Sequence, residues 1–359
     1  MYGLVFAGGG VRGAYQIGVW KAINELKIKV SAVTGASIGA INAALFAQKS
    51  FRLADKLWRD ISIGDVIALA DDTGCSENLF DIKNLISLSK DFCKSGGFDM
   101  TPLRNLLNKI IDEDKIRKSP IMFGCTAYSL TEHSENNVFI SDIPHGKLVD
   151  YLMASSGILS VRKISGESFT DGGASNNMPV DMLIEKGYTD IITVDVQGAG
   201  IYKSINTAGC NIIGIKCREA MTGLMDFNSE GIEKSIAQGY LDCMKVFGRL
   251  QGSNYYIKPF KTELSGEILS GIETAASAFG IDCLKAYTLD GLIAETMKAY
   301  KKADKSADGQ KSKIPAIIIP WLVGRLEENN SDFAKNAMEI WGQNYDAAAA
   351  ILYFKRKLK

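Results

Sequence analysis

The first 48 residues alternate short β-rich runs with helical patterns, and this alternation limits the possible folds more than any other feature. Residues 2–7 read as a buried strand, and after the glycines at 8–10 apolar residues recur at helical spacing from 13 to 26. A second short strand at 32–34 leads through another glycine turn into a helix at 38–48. The repeat is typical of a parallel sheet covered by helices, because parallel strands need crossover connections.

Similar patterns continue to about residue 200 and then fade. The β-branched run at 190–196 is the clearest interior strand, whereas 219–250 looks helical and 301–313 looks like an exposed linker. Further predicted elements are strands at 121–127, 138–140 and 255–257 and helices at 52–60, 79–92, 147–154, 179–186 and 284–302. We therefore predict an α/β domain over residues 1–200 and a mainly helical C-terminal extension of unknown role over 201–359.

Composition argues against several classes of function. The 41 basic and 41 acidic residues cancel, which disfavours general nucleic-acid binding. The seven cysteines are scattered without C-x-x-C spacing, so we expect free thiols in a reducing compartment and no zinc site. Because no run of about 18 apolar residues occurs, we predict no transmembrane segment and a cytoplasmic location.

Histidine is scarce, and this restricts the mechanism. The chain has only two histidines, His133 and His145, and both lie in polar surroundings that read as surface loops. A cluster of histidine metal ligands is therefore impossible. A mechanism that needs a histidine base must use one of these two.

The first glycine-containing motif, Gly8–Gly13, directly follows the first predicted strand and fits G-x-G-x-x-G. A dinucleotide site would use these glycines to approach a pyrophosphate, but it also needs an acidic residue at the end of the second strand, where the chain has Thr34 to Ser37 instead. The same geometry can form an oxyanion hole from consecutive backbone N–H groups, with Arg12 adding positive charge. A plain tight turn is the third interpretation.

The second motif, Gly35–Gly39, has the pattern G-x-S-x-G between a predicted strand and a predicted helix. That context is the one a nucleophile elbow requires, because small flanking residues let the chain turn sharply and present the serine hydroxyl. The simpler alternative is a strand-to-helix turn in which Ser37 caps the helix.

The third motif, Asp171-Gly172-Gly173, follows a short strand. It is either an ordinary Asp-Gly turn or the source of a base for Ser37. In an α/β-hydrolase the histidine comes late in the chain, whereas here none follows His145. With an ordinary pKa of about 3.9, Asp171 would be a weak base that contacts Ser37 directly and leaves most of the rate acceleration to the oxyanion hole.

Together the three motifs resemble the patatin-like phospholipase family over about residues 1–200. GGGVRG at 8–13 resembles the oxyanion block of that family, GASIG at 35–39 its nucleophile block, and DGG at 171–173 its aspartate block. The motif glycines are Gly8, Gly9, Gly10, Gly13, Gly35, Gly39, Gly172 and Gly173. Residues 154–157 resemble a further block, with Leu159 where the family usually carries proline.

The resemblance implies a three-layer α/β/α fold and a carboxylic ester hydrolase of the phospholipase A or lysophospholipase type, without metal or other cofactor. Ser37 would form an acyl-enzyme, Asp171 would act as the base, and the N–H groups of Gly8, Gly9 and Gly10 would hold the oxyanion with support from Arg12. The substrate would be a lipid acyl ester presented at a membrane surface, which implies a peripheral position there.

Two alternatives remain open at this point. The chain could be a nucleotide-binding oxidoreductase that uses the loop at 8–13, or a non-catalytic scaffold with the same fold that recruits partners through its C-terminal helices. We expect the walls of a substrate pocket to come from residues 50–120 and from the C-terminal region.

Overall fold

A computed structural model of the chain describes residues 1–68, 99–157, 162–164, 167–261, 264–305, 314–328 and 331–357. Contacts between Cα atoms divide the chain into two compact units, Met1–Cys243 and Met244–Lys359. The predicted helix at 79–92, residues 306–313 of the predicted linker, Leu159 and the cysteines at 75 and 93 lie outside the described residues.

The first unit is built around one sheet. Its strands are β1 (Tyr2–Phe6), β2 (Val30–Ala36), β3 (Met122–Ser129), β4 (Ser134–Phe139), β5 (Arg162–Ile164), β6 (Glu167–Asp171), β7 (Asp190–Asp195) and β8 (Asn211–Lys216). Its helices are α1 (Ala14–Glu25), α2 (Ile38–Ala47), α3 (Phe51–Asp60), α4 (Thr101–Ile110), α5 (Glu113–Arg117), α6 (Leu148–Ser155), α7 (Asp181–Glu185) and α8 (Ser229–Val246), whose last residues belong to the second unit.

The strand order is β5-β6-β3-β2-β1-β7-β8, and β4 also pairs with β3. Strands β3, β2, β1, β7 and β8 run parallel to one another. Strands β4 and β6 pair antiparallel with β3, and β5 pairs antiparallel with β6. The described sheet is therefore mostly parallel, with an antiparallel extension beside β3.

Strand β1 shows why the sheet is covered on both faces. On one face the ring of Phe6 meets that of Phe46 in α2, with the centroids 6.1 Å apart. On the other face Gly3 lies so close to α7 that a Cβ atom there would be 2.7 Å from Leu183 Cδ1. Because alternate residues of a strand point to opposite faces, helices lie on both sides of the sheet, and the predicted three-layer α/β/α fold is confirmed.

The division between the units falls after Cys243, whereas the sequence led us to expect a boundary near residue 200. The difference comes from β8, which the sequence analysis did not predict, and from α8. Strand β8 pairs with β7 along its whole length, so it continues the parallel sheet. The apolar sequence pattern of β8 is weak because this strand lies at one end of the described sheet, where Ile212 is exposed.

Helices α1 and α8 of the first unit touch through their backbones. A Cβ atom at Gly18 would lie 1.9 Å from the carbonyl oxygen of Ile236, and one at Gly239 would lie 2.0 Å from that of Tyr15. Both distances are far below contact, so these two positions require glycine. This close crossing attaches α8 to the first unit.

The second unit is mainly helical, as expected for the C-terminal region. It contains α9 (Gly266–Ala278), α10 (Leu289–Lys305), α11 (Ile314–Glu327), α12 (Ser331–Trp341), α13 (Gln343–Lys357) and a parallel strand pair, β9 (Tyr256–Ile257) and β10 (Ala286–Tyr287). Small residues let α9 and α13 pack closely, since a Cβ atom at Gly271 would lie 2.4 Å from the carbonyl oxygen of Asp346. Among the helices described, none combines the length and apolarity needed to cross a bilayer.

We expect Gly18→Ala to lower the free energy of unfolding by about 1–3 kcal/mol, because the added methyl group must displace the backbone of α8. Chemical unfolding followed by circular dichroism measures this change. Gly214→Ala is the matched control in the same unit, since a Cβ atom there meets only Thr193 Oγ1 at 3.8 Å. Equal stability of the two variants would contradict the close crossing.

Candidate active site

The carboxyl ends of the central parallel strands bring the glycine motifs together. Residues 8–10 follow β1, Ser37 follows β2, and residues 196–198 follow β7. These strands are neighbours in the sheet and run in the same direction, so their ends meet at one edge. Open α/β sheets bind their ligands at this edge.

Strand β3 places the aspartate opposite the serine. In the register of the sheet Ala36 pairs with Thr126, and the next residue of β3, Ala127, pairs with Asp171. Ser37 Oγ donates a hydrogen bond to Asp171 Oδ2 at 2.7 Å. Both side chains are buried, with 8% and 4% of their surfaces exposed. Two residues that are far apart in the chain thus form one polar pair at the sheet edge.

Ser37 sits on a strained turn. Its backbone has φ 53° and ψ −130°, a conformation that non-glycine residues rarely adopt. The flanking glycines allow the turn, because a Cβ atom at Gly35 would lie 2.3 Å from the carbonyl oxygen of Gly39, and one at Gly39 would lie 2.2 Å from that of Phe6. The N–H of Ser37 donates to Ser155 Oγ at 3.0 Å, which holds the turn against the end of α6.

The alternative that Ser37 serves only as a helix cap does not agree with the geometry. Ser37 precedes α2, but its side chain makes no capping hydrogen bond. Its hydroxyl instead points to Asp171. The turn therefore presents the oxygen as a nucleophile elbow does.

The carboxylate of Asp171 is held by donors on both oxygens. Oδ2 accepts from Ser37, and Oδ1 accepts from the N–H of Gly173 at 2.8 Å. The backbone of the motif is equally confined, because a Cβ atom at Gly172 would lie 2.4 Å from the carbonyl oxygen of Thr126. The Asp-Gly turn and the pairing with Ser37 therefore coexist in one motif.

The glycine loop at 8–10 does not offer all three expected donors. The N–H of Gly8 donates to the carbonyl oxygen of Asn177 at 3.0 Å, and Asn177 Nδ2 donates back to the carbonyl oxygen of Gly8 at 3.2 Å. The N–H groups of Gly9 and Gly10 donate to none of the described residues. Gly10, with φ 56°, is also the position where a Cβ atom would lie 2.0 Å from the carbonyl oxygen of Leu224. Gly9 and Gly10 thus remain as candidate oxyanion donors, and Gly8 is a structural member of the loop.

Arg12 fastens the glycine loop to its surroundings. Its Nε donates to the carbonyl oxygen of Thr222 at 3.2 Å, and Nη1 donates to the carbonyl oxygen of Gln197. These bonds join the loop to the segment after β7 and to the segment before α8. We expected Arg12 to support an oxyanion directly, but its hydrogen bonds instead hold the glycine loop in position.

A buried polar network next to the glycine loop was not predicted from the sequence. Asn42 Nδ2 donates to the carbonyl oxygen of Gly13 at 3.1 Å and to Gln16 Oε1 at 2.7 Å, and Asn42 Oδ1 accepts from Trp58 Nε1 at 3.0 Å. Gln16 Nε2 in turn donates to the carbonyl oxygen of Ala7 at 2.7 Å. The network links the glycine loop to α1, α2 and α3. No local sequence pattern predicts this network, because its members lie on separate helices.

An apolar cavity of about 90 Å³ opens beside Ser37. Its walls come from α2, α3, α4 and the segment after residue 223, including Ile41, Leu57, Trp58, Leu103, Leu107, Ile110, Leu224 and Phe227. Half of the lining residues lie in the expected range 50–120, and three more, Leu224, Met225 and Phe227, lie in the region after residue 200. The site combines a buried hydroxyl, a carboxylate and a space suited to a hydrocarbon chain.

The histidines and cysteines do not compete with this pair. His133 and His145 are exposed in loops, and neither forms a hydrogen bond with Ser37 in the described structure. Burial raises the pKa of the Cys125 thiol to about 12. Burial and, secondarily, Asp242 raise the pKa of Cys217 to about 11, although Arg12 opposes this shift. Such thiols stay protonated and are weak nucleophiles.

The described residues contain no group of three or more histidine, cysteine or acidic side chains that could hold a metal ion.

Comparison with known proteins shows which family shares these motifs. The family model described as patatin-like phospholipase matches residues 4–184, which are 181 of the 359 residues. All three motifs lie in this range.

Two curated relatives and one solved structure illustrate the similarity. Patatin-like phospholipase domain-containing protein 7 of Rattus norvegicus is 24% identical over 71% of this chain and 18% of its own length. Neuropathy target esterase sws of Drosophila melanogaster is 24% identical over 96% of this chain and 24% of its own length. The chain therefore corresponds to about a fifth of these relatives. The structure of VipD from Legionella pneumophila covers 94% of this chain and 79% of VipD at 14% identity, with a TM-score of 0.45.

We expect Asn42→Ala to lower the free energy of unfolding by about 3 kcal/mol, because Trp58 Nε1, Gln16 Oε1 and the carbonyl of Gly13 would lose a buried partner. Urea unfolding measures the loss. Asn24→Ala, at an exposed position of the neighbouring helix α1, is the matched control and should change stability by less than about 0.5 kcal/mol. A loss no larger than the control's would show that the network does not hold the loop.

Proposed function

The chain belongs to the patatin-like phospholipase family, and on that premise we propose that it is a serine-dependent lipid acyl hydrolase that cleaves carboxylic esters through Ser37 and Asp171. The observation that carries the proposal is the 2.7 Å hydrogen bond between Ser37 Oγ and Asp171 Oδ2 beside an apolar cavity. The name of the fly relative, which describes an esterase, agrees with ester hydrolysis.

Acylation begins when Ser37 Oγ attacks the carbonyl carbon of the ester while its proton passes to Asp171 Oδ2. The negative charge that forms on the carbonyl oxygen is stabilised by the N–H groups of Gly9 and Gly10, which donate to none of the described residues. When the intermediate collapses, the bond to the alcohol oxygen breaks and Asp171 returns the proton to that oxygen. The alcohol leaves, and the acyl group remains on Ser37.

Deacylation repeats these steps with water in place of the alcohol. Asp171 takes a proton from the water as its oxygen attacks the acyl carbon, and the proton then goes to Ser37 Oγ as the acid leaves. A carboxylate is a weaker base than the histidine of most serine hydrolases, so fixed N–H donors have to supply much of the stabilisation.

The apolar cavity supports a substrate with a hydrocarbon acyl chain. Buried side chains of α4, such as Leu103 and Leu107, line it, and burial of each methylene contributes about 0.8 kcal/mol. This agrees with activity of the phospholipase A or lysophospholipase type. Presentation of the lipid at a membrane surface and a cytoplasmic location remain predictions from the sequence.

The part of the chain that the structure describes favours neither of the two alternatives. A dinucleotide site would require an acidic residue at the end of β2, and that strand instead leads into Ser37. A non-catalytic scaffold would not need the bonded pair of Ser37 and Asp171.

The test is hydrolysis of a panel of phospholipids, lysophospholipids, triglycerides and p-nitrophenyl esters. We expect Ser37→Ala and Asp171→Asn to fold but to lose roughly 10³-fold or more of kcat/KM, because each removes a group that acts in the chemical step. A fluorophosphonate probe should label the wild type and not Ser37→Ala.

Ser277→Ala, which alters an exposed serine of the second unit, is the control and should keep full activity and labelling. Equal labelling of wild type and Ser37→Ala would overturn the nucleophile. Full turnover by Asp171→Asn would point to another base, such as His133 or His145.

We further expect Leu107→Trp to shorten the space for the acyl chain. If two methylenes of the acyl chain are no longer buried, kcat/KM for long-chain p-nitrophenyl esters should fall about tenfold. The acetate ester, which has no such methylenes, should react almost normally. Leu53→Trp, on the exposed side of α3, is the matched control. An equal effect on both esters would argue against this cavity as the acyl site.

A further inference from the structure

The cavity beside Ser37 is lined by a serine whose buried hydroxyl has no hydrogen-bond partner among the described residues. Four buried side-chain oxygens lack a partner in the described structure, those of Thr126, Ser156, Asn176 and Thr222. Of these residues only Ser156 lines the cavity that also contains Ser37. Its side chain is 8% exposed, so bulk water reaches it poorly.

The other polar side chains of the cavity wall are already satisfied. Ser37 donates to Asp171. Asn42 uses its amide hydrogens and its oxygen within the network, and the indole N–H of Trp58 is bound by that oxygen. Because buried polar groups normally have partners, the free hydroxyl of Ser156 suggests a polar atom that is present only when substrate is bound.

The chain fixes Ser156 near the reacting end of the cavity. It directly follows Ser155, whose Oγ accepts the N–H of Ser37 at 3.0 Å. Its own N–H donates to the carbonyl oxygen of Leu152 at 3.0 Å, and the carbonyl oxygen of the next residue, Gly157, accepts from Thr170 Oγ1 at 3.3 Å. The hydroxyl is therefore carried by an ordered backbone next to the nucleophile.

The sheet order separates Ser156 from the oxyanion donors. The glycine loop follows β1, on one side of β2, whereas α6 packs against β3, β5 and β6, on the other side. An ester carbon held at Ser37 thus has Gly9 and Gly10 on one side and Ser156 on the other. If the carbonyl oxygen faces the glycines, the alcohol oxygen is the remaining polar atom of the ester.

We propose that Ser156 Oγ donates a hydrogen bond to the alcohol-side oxygen of the bound ester, and this proposal rests on the proposed ester hydrolase function. When the ester bond breaks, the hydrogen bond stabilises the charge that develops on the departing oxygen until Asp171 delivers the proton. In deacylation the attacking water occupies the same place, because that step is the reverse of acylation with water as the alcohol.

The test compares two esters of the same acyl chain, an alkyl ester and a p-nitrophenyl ester, by kcat/KM, which reports acylation. An alkoxide is strongly basic, so its developing negative charge must be stabilised before it can leave. The weakly basic p-nitrophenolate leaves without such stabilisation. We expect Ser156→Ala to lower kcat/KM for the alkyl ester about tenfold, the effect of one hydrogen bond, and to change the p-nitrophenyl ester by less than about threefold. Ser156→Thr, which keeps the hydroxyl, should recover most of the loss.

Ser235→Ala is the matched control, since that buried hydroxyl donates to the carbonyl oxygen of Gly231 within α8 and does not line the cavity. Unchanged rates for both esters with Ser156→Ala would overturn the proposal, and so would equal losses for both, which indicate a structural role. If the wild type shows no turnover that depends on Ser37, the proposed function is wrong, and the role assigned to Ser156 is wrong with it.

Discussion

The hydrogen bond from Ser37 to Asp171 depends on the register of three neighbouring strands. Strand β2 ends with Ala36 opposite Thr126, and Asp171 of β6 lies opposite Ala127. A slip of one residue in either pairing would move a side chain by about 3.3 Å and turn it to the other face of the sheet. The 2.7 Å contact depends on the observed register, so the buried layers on both faces of the sheet hold this pair in place as well as the fold.

Around this pair the site is made largely of backbone packed against backbone. A Cβ atom at Gly198 would lie 1.9 Å from the carbonyl oxygen of Gly8, and similar approaches occur at Gly10 and Gly39. Loops packed so closely have little freedom to move, and their N–H groups keep one direction. Donors held in this way need no reorganisation when charge develops on a substrate, which is the condition for efficient oxyanion stabilisation.

The three motifs meet at one edge of the sheet, but some of their residues have other hydrogen-bond partners than the sequence led us to expect. Gly8 was expected to donate to an oxyanion, yet its N–H is taken by Asn177. Arg12 was expected to face the same charge, yet it binds the carbonyl oxygens of Gln197 and Thr222. In each case the acceptor that the group binds instead lies more than 160 residues away in the chain, so a short local motif cannot predict it.

The sequence by itself determined the parallel sheet, since strand and helix periodicity repeat within the first 48 residues. It also placed Ser37 and the Asp171 turn after predicted strands, and the scarcity of histidine made the aspartate the best candidate for a base. Only the tertiary structure decided which helices wall the cavity, which N–H groups of the glycine loop bind none of the described residues, and that Ser156 lines the cavity with no partner among them. The physical reason is range: periodicity and turn chemistry act between chain neighbours, whereas hydrogen-bond partners and cavity walls come from segments that meet only when the sheet has formed.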